Sequence, residues 1–171
     1  MENKELTIEN KVEKSGLINF EIETLIPKGE RIYFDIKNLL FQELVLKEKD
    51  FREFLKNHDW TIYKDKYVAV DCSVDAIIPM WAYMLIGVYL SPFAKKTVVG
   101  NLKKLEEEII LEEIIKKDFS DLKDARVIAK GCSKQYVPES AYLTLSQKLT
   151  PLVKSLMFGE ACSTVPLYKK K

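Results

Sequence analysis

The sequence predicts a layered α/β protein with a largely parallel sheet, flanking helices and an N-terminal antiparallel hairpin. Two observations support this fold class. Short runs of strand-forming residues alternate along the chain with longer helical patterns, which is typical of βαβ units joined by right-handed crossovers. The first two strand patterns are separated by a segment with turn-forming Pro27 and Gly29, and this favours a hairpin at one edge of the sheet.

The predicted elements follow one another in a regular order. Residues 1–16 are polar and are expected to form a flexible N-terminus, and residues 17–171 are expected to form a single α/β domain. Strands are predicted at 17–23, 31–36, 67–70, 97–99 and 125–129, with a last extended segment at 164–168. Helices are predicted at 50–56, from Pro79, at 102–117, from Pro138 and from Pro151.

Composition narrows the class of protein. The chain of 171 residues carries 27 Lys plus Arg against 26 Asp plus Glu, and this balance argues against a nucleic-acid partner, which requires a basic face. Residues 1–14 are polar and do not resemble a signal peptide. The longest apolar run, Ala76–Leu90, is shorter than the roughly 20 residues of a membrane-spanning helix and is predicted to be a helix buried in the core. We therefore expect a cytoplasmic protein without a membrane partner, which leaves a protein partner or a homo-oligomer open.

Two segments of the chain resemble each other. Residues Cys72–Met84 and Cys132–Leu143 both read Cys-Ser, a short loop, an apolar residue, Pro, two variable residues and Ala-Tyr. Their cysteines are 60 positions apart, and a third fragment, Cys162–Pro166, keeps only the Cys-Ser pair and a nearby proline. Both full copies follow a predicted strand. Because ligands of open α/β sheets bind beyond the carboxyl ends of the strands, these loops are the predicted functional edge.

The cysteines suggest a metal site. Cys72, Cys132 and Cys162, together with the only histidine, His58, would form a Cys₃His set, which is a known structural zinc combination. Thiolates also suit an iron–sulfur cluster. Every ligand would come from a different loop, since the chain has no C-x-x-C pair. The leading hypothesis is an accessory binding protein that handles a metal or an iron–sulfur cluster.

Two further readings of the cysteines stay open. In a small cysteine-dependent enzyme, Cys72 or Cys132 would be a nucleophile whose thiolate is stabilised by a helix N-terminus. Such a nucleophile needs a base within reach, and His58, Asp71 and Asp75 are the candidates. In a structural or interaction protein, the cysteines would be buried thiols without chemistry.

The serines beside the cysteines give a third kind of candidate site. The hydroxyl groups of Ser73 and Ser133, with the free N–H groups at the start of the following helices, could bind a phosphate or a carboxylate. Lys130 and Lys134 lie close by in sequence and would add positive charge. The simpler alternative is that both serines cap a helix.

Several stretches of the chain resemble domain-of-unknown-function family 2480, a bacterial family. They are Phe51–Glu53, Lys56–Trp60, Cys72–Ile77, Pro79–Met84, Lys130–Ser133, Lys154–Glu160 and Cys162–Tyr168. The resemblance covers nearly the whole chain, from about Asn10 to Lys170. It implies no particular activity, because the family has no established one.

Overall fold

A computed structural model describes residues 16–131, 135–160 and 162–171 of the chain. Within these ranges the fold is a mixed α/β structure whose strands are mostly parallel, which confirms the predicted fold class. The strands are β1 (Leu17–Phe20), β2 (Arg31–Asp35), β3 (Tyr67–Asp71), β4 (Lys96–Val99), β5 (Arg126–Ala129), β6 (Ser155–Glu160) and β7 (Ser163–Lys169). The α-helices are α1 (Glu48–Asn57), α2 (Met80–Leu90), α3 (Leu102–Lys116) and α4 (Glu139–Leu149).

The described strands form two sheets in place of the single sheet that the sequence suggested. One sheet has the order β2-β3-β4, with all neighbours parallel. The other has the order β1-β5-β6-β7, in which β6 and β7 are antiparallel. The chain divides accordingly into two compact units. Unit A comprises the described residues up to Ile26 and those from Ile110 onward, and unit B comprises Pro27–Ile109.

The expectation of one domain over residues 17–171 stays a prediction, because two compact units can still unfold as one. The flexible N-terminus predicted for residues 1–16 falls outside the described residues except for Gly16.

The predicted N-terminal antiparallel hairpin is wrong. β1 pairs in parallel with β5, and β2 pairs in parallel with β3, so the two strands belong to different sheets. The connection between them contains a 3₁₀ turn, Ile22–Leu25, whose first residue is 2% exposed. Hairpin loops are usually two to five residues long. A longer connection that buries one of its own side chains is free to lead into a separate sheet.

The helix predicted from Pro151 is also absent, and the extended segment predicted at 164–168 is confirmed as part of β7. Thr150 is the C-cap of α4, and Pro151 follows it. Proline is common just after a helix C-cap as well as at the first helical position, so Pro151 ends one helix where it was expected to begin another. The chain then turns directly into β6.

The two units contain the same succession of elements at a constant spacing of 59 residues. β3 and β5 begin at Tyr67 and Arg126, α2 and α4 at Met80 and Glu139, and β4 and β6 at Lys96 and Ser155. The turn before each second strand is also repeated, because the Asp65 amide donates to the carbonyl of Phe93 and the Asp124 amide to that of Leu152, both at 2.9 Å. The resemblance seen around the cysteines is therefore part of a longer internal repeat.

The repeat extends to the cores of both units. Three positions of α2 and the corresponding three of α4 are fully or almost fully buried, at spacings of four residues: Ala82, Ile86 and Leu90 in α2, and Ala141, Leu145 and Leu149 in α4. This spacing places them on one face of each helix. Each helix therefore packs on its own sheet through the same three positions.

The apolar helix α2 is only half buried, although the sequence predicted it to lie within the core. Its inner face packs in the core of unit B, while Met80, Met84 and Val88 on the opposite side are exposed. No helix among the described residues is long and apolar enough to cross a membrane.

Candidate functional site

Two carboxylates lie side by side at the carboxyl edge of the three-stranded sheet. Asp35 ends β2 and Asp71 ends β3, and the two residues are register partners in this parallel pair. Neighbouring strands are about 4.8 Å apart and partners point to the same face of a sheet. The edge therefore places two carboxylates, with Lys37 close to Asp35, at the position where open α/β sheets bind ligands.

Asp35 holds the loop that follows β3. Its carboxylate accepts hydrogen bonds from the backbone N–H of Ser73 (3.1 Å), from the Ser73 hydroxyl (2.6 Å) and from the backbone N–H of Lys37 (3.0 Å). Partial burial raises the pKa of Asp35, but these hydrogen bonds outweigh it and hold the pKa below its ordinary value. Ser73 therefore lies against a charged carboxylate, which disfavours a phosphate at the same place.

Asp71 contacts the backbone of Cys72 and lies near a tyrosine. Its Oδ1 atom accepts a hydrogen bond from the Cys72 amide at 2.9 Å, and its carboxylate lies close enough to the Tyr33 hydroxyl to affect the pKa of that group. Partial burial raises the pKa of Tyr33, and the negative charges of Asp71 and Asp35 raise it further. Tyr33 therefore remains a neutral donor at this edge over the physiological range of pH.

The thiol of Cys72 is half-buried beside these groups. Its side chain packs against the core of unit B. Burial raises the pKa of Tyr83 on α2, and the nearby groups Cys72 and Asp71 add to this effect. Cys72 thus lies in the neighbourhood of two tyrosines and one carboxylate, and we call Tyr33, Asp35, Asp71, Cys72 and Ser73 together the edge site.

A shallow groove opens next to the edge site. It has a volume of about 460 Å³ and is lined by Tyr33 and by the start of α3, namely Asn101, Leu102 and Lys103. Tyr33 is the edge-site residue that lines this groove.

The corresponding edge of unit A has a different charge pattern. Glu21, which follows β1, corresponds in position to Asp35 at the end of β2. Lys130, which follows β5, corresponds to Asp71 at the end of β3. The Lys130 ammonium donates to the Glu21 carboxylate at 2.6 Å, and this bond raises the pKa of Lys130. At these two positions unit A thus has a lysine–glutamate ion pair, with Glu160 and Glu23 nearby, where unit B has two carboxylates. The same ion pair occupies the ammonium group of Lys130, which the sequence suggested as a ligand for an anion.

His58 takes part in an aromatic cluster at the end of α1. Its Nε2 atom lies 3.1 Å from the hydroxyl oxygen of Tyr63, and its ring contacts those of Phe34, Phe54 and Trp60 at centroid distances of 4.8–6.3 Å. Its backbone N–H also closes the helix by donating to the carbonyl of Phe54. These contacts give His58 a packing role in unit B.

The remaining predicted ligands lie elsewhere in the chain. Cys162 is exposed in the turn between β6 and β7 of unit A. Cys132 and Ser133 fall outside the described residues, so their predicted roles as ligands stay predictions. In the part of the chain that the structure describes, no three His, Cys, Asp or Glu side chains are grouped so as to hold a metal ion.

Sequence reasoning did not identify Tyr33 and Asp35 as site residues. The available signal was the end of the second strand pattern, where Asp35 follows an alternating apolar run. Placed in parallel with the strand that ends at Asp71, this run brings the two carboxylates together.

The comparison with known families agrees with the resemblance of individual motifs. A family model described as a protein of unknown function, DUF2480, matches residues 6–170. The chain belongs to the DUF2480 family. No curated protein and no solved structure matches this DUF2480 chain with significance. Its chemistry must therefore be inferred from its own residues.

Proposed function

We propose that this DUF2480 protein is an accessory binding protein. It would bind, at the edge site, a metal cation that prefers thiolate ligands. The observation that carries the proposal is the position of Cys72, a half-buried cysteine that directly follows Asp71 at the carboxyl end of β3. Thiolate ligands favour zinc and iron, and adjacent carboxylates attract cations.

The edge site supplies too few ligands for a permanent metal centre. A structural zinc ion takes four protein ligands, and the described residues offer no group of three. An incomplete ligand set at an open edge suits a metal that is accepted and passed on, with the partner completing its coordination. Zinc or iron is therefore cargo in this proposal, as it would be in iron–sulfur cluster handling. The thiols must stay reduced, which fits the cytoplasmic location predicted from the sequence.

The charge and the hydrogen bonds of the edge site support a cation over an anion. Asp35 and Asp71 lie on neighbouring strands, and the Ser73 hydroxyl donates to Asp35. Ser73 then positions the loop that carries Cys72. A phosphate there would meet two carboxylates, so we assign Ser73 a positioning role.

The alternatives from the sequence fit the described residues less well. A cysteine-dependent enzyme needs a base, and His58 is engaged by Tyr63 and by the aromatic cluster. Asp71 bonds the Cys72 amide. A protein with only buried thiols is not supported either, because Cys72 is half-buried and Cys162 is exposed.

The test compares metal binding in matched cysteine variants. Protein purified anaerobically is analysed for zinc and iron and by absorbance, and its affinity for Zn²⁺ alone is measured by competition with a chromogenic chelator. We expect Cys72→Ser to lower the affinity at least about tenfold, because one of a small number of ligands is lost. Cys162→Ser is the control with an exposed thiol and should retain the affinity.

Two further variants complete the series. Cys132→Ser tests the ligand predicted from the sequence, and Asp71→Asn removes the adjacent charge while preserving its shape. Equal Zn²⁺ affinity in wild type and Cys72→Ser would overturn the proposal. A single hyper-reactive thiol in an alkylation time course, without metal binding, would favour the enzyme.

A further inference from the structure

The outer face of α2 is apolar although it faces solvent. Four large side chains are exposed there: Ile77 at 93%, Met80 at 77%, Met84 at 73% and Val88 at 66%. The three helical members recur every four residues, so they form one continuous line along the helix. We call these four residues the outer stripe.

The outer stripe lies opposite the buried face of the same helix. Ala82, Ile86 and Leu90 are the buried positions, and the stripe is displaced from them by two residues, or about 200° around the helix. Surface helices normally carry polar residues at this position, and a helix that is apolar on all sides is normally buried. The stripe therefore indicates a covering partner outside unit B.

The internal repeat provides a comparison for this face. Each stripe position of α2 corresponds to the position of α4 that lies 59 residues later in the chain. Met80 thus corresponds to Glu139, Met84 to Leu143 and Val88 to Gln147. The same fold position thus tolerates polar residues, and the continuous apolar line belongs to α2 alone. Packing within the unit does not require it.

We propose that the outer stripe is the contact surface of a symmetric homodimer, in which α2 of two copies packs antiparallel and crosses near Gly87. Homodimers with twofold symmetry are the commonest oligomers, and each of their surfaces must complement itself. The following two features of α2 provide that complementarity.

The first feature is a large exposed side chain, Met84, next to a position without a side chain, Gly87, on the same face of the helix. Gly87 lies beside Met84 and Val88 on the helix. The space around its missing side chain is open, since an added Cβ would meet no atom within 4 Å apart from its chain neighbours and the backbone of its own helix. A twofold axis between positions 84 and 87 places Met84 of each copy over Gly87 of the other. Small residues at a crossing allow two helix backbones to approach closely, as knobs enter holes.

The second feature is the charge at the two ends of the segment. Residues 76–94 contain no charged side chain, and they are bounded by Asp75 on one side and Lys95 on the other, both exposed. In an antiparallel pair the same axis brings Asp75 of one copy towards Lys95 of the other. Homodimer interfaces are richer in apolar area than ordinary surface, with polar residues at the rim, and the segment follows this pattern.

The main test measures the molar mass of the full chain by light scattering across a range of concentrations. We expect wild type to be a dimer. Met84→Glu should raise the dimer dissociation constant at least about tenfold. Leu143→Glu makes the same change at the matched exposed position of α4 and should leave the dimer intact.

Two more variants separate the interface from the fold. Met80→Glu with Val88→Gln copies residues that α4 already carries, so it should yield a folded monomer. Gly87→Leu meets open space in a single copy and removes a glycine from a helix, so circular dichroism should show an intact fold while the dimer is lost.

Several outcomes would overturn the proposal. These are a monomeric wild type at all concentrations, a dimer that survives Met84→Glu, or a dimer that survives Gly87→Leu. A monomer that binds phosphatidylcholine–phosphatidylserine vesicles through the stripe would also overturn it, since a lipid surface would then be the partner. The metal-binding test does not depend on any of these results.

Discussion

The Asp35 carboxylate accepts hydrogen bonds from both the backbone amide and the side-chain hydroxyl of Ser73, at 3.1 and 2.6 Å. Asp35 belongs to β2, and Ser73 is the second residue of the loop that follows the neighbouring strand, β3. The two bonds therefore fix the position of this loop, which also contains Cys72, relative to the sheet.

Removal of the Ser73 hydroxyl is predicted to cost stability in a pH-dependent way. Ser73→Ala loses one hydrogen bond to a charged acceptor at the surface, for which we expect about 1 kcal/mol at pH 7. The folded-state pKa of Asp35 is lowered, so its contribution is full above the ordinary value of 3.8 and is lost as the pH falls through the lower folded value. Urea unfolding from pH 7 to pH 2 should show the difference from wild type shrinking below about pH 4.

Ser91→Ala is the control for this measurement. The Ser91 hydroxyl donates to the carbonyl oxygen of Val88 and to no carboxylate, so its effect should not change with pH. Asp59, Asp118 and Asp124 also have lowered pKa values, but they are common to both proteins and cancel in the difference. A constant difference between Ser73→Ala and wild type would contradict the link to Asp35.

His58 is predicted to act in packing, without a role in metal binding. His58→Gln removes the ring that contacts Phe54 and Trp60 and disturbs the hydrogen bond with Tyr63, which should lower the free energy of unfolding by about 1–2 kcal/mol. Its Zn²⁺ affinity should match that of wild type. A loss of affinity as large as that of Cys72→Ser would instead make His58 a ligand, as the sequence suggested.

The internal repeat predicts equal costs for equivalent core positions. Leu90 and Leu149 are both fully buried and are 59 residues apart, so Leu90→Ala and Leu149→Ala should each cost about 2–5 kcal/mol. If residues 17–171 form one domain, both variants shift a single unfolding transition seen by tryptophan fluorescence and by circular dichroism. Two transitions, each shifted by one variant, would show that the units unfold separately.

Two glycines at equivalent positions of the repeat, Gly100 just after β4 and Gly159 near the end of β6, are predicted to respond unequally to alanine. Gly100 and Gly159 have φ values of 130° and 122°, which strain any other residue. A Cβ at Gly159 would lie 2.5 Å from the carbonyl oxygen of Ser163, whereas a Cβ at Gly100 would meet the side chain of Lys104 at 3.2 Å. Both changes should cost more than about 1 kcal/mol, and Gly159→Ala should cost more in thermal unfolding. Equal or inverted costs would contradict the stated contacts.

The elements that the sequence predicted correctly are those with local signals. The run 67–70 and the helix 102–117 are indicated by propensity and periodicity alone, and both occur as β3 and α3. The hairpin prediction failed because strand pairing is not local: β1 pairs with β5, more than a hundred residues away. Pro151 was misread because a proline fits either end of a helix.

The same limit applies to the edge site. The loop with Cys72 was recognised because the carboxyl end of a buried strand is a known place for ligands. Asp35 was missed because a hairpin at the sheet edge gives no reason to place the end of β2 beside the end of β3. Only the parallel register joins Asp35 to Asp71, and this register depends on the whole of unit B.

The strand order also has a consequence for the folding of the protein during its synthesis on the ribosome. Unit B is continuous in the chain, whereas β1 pairs with β5 after all of unit B has intervened. Contacts between distant residues form slowly, and domains fold as their residues emerge during synthesis. Unit B can therefore assemble before β5 emerges to pair with β1, and the sheet that contains β1 is completed only when β5, β6 and β7 have been synthesised.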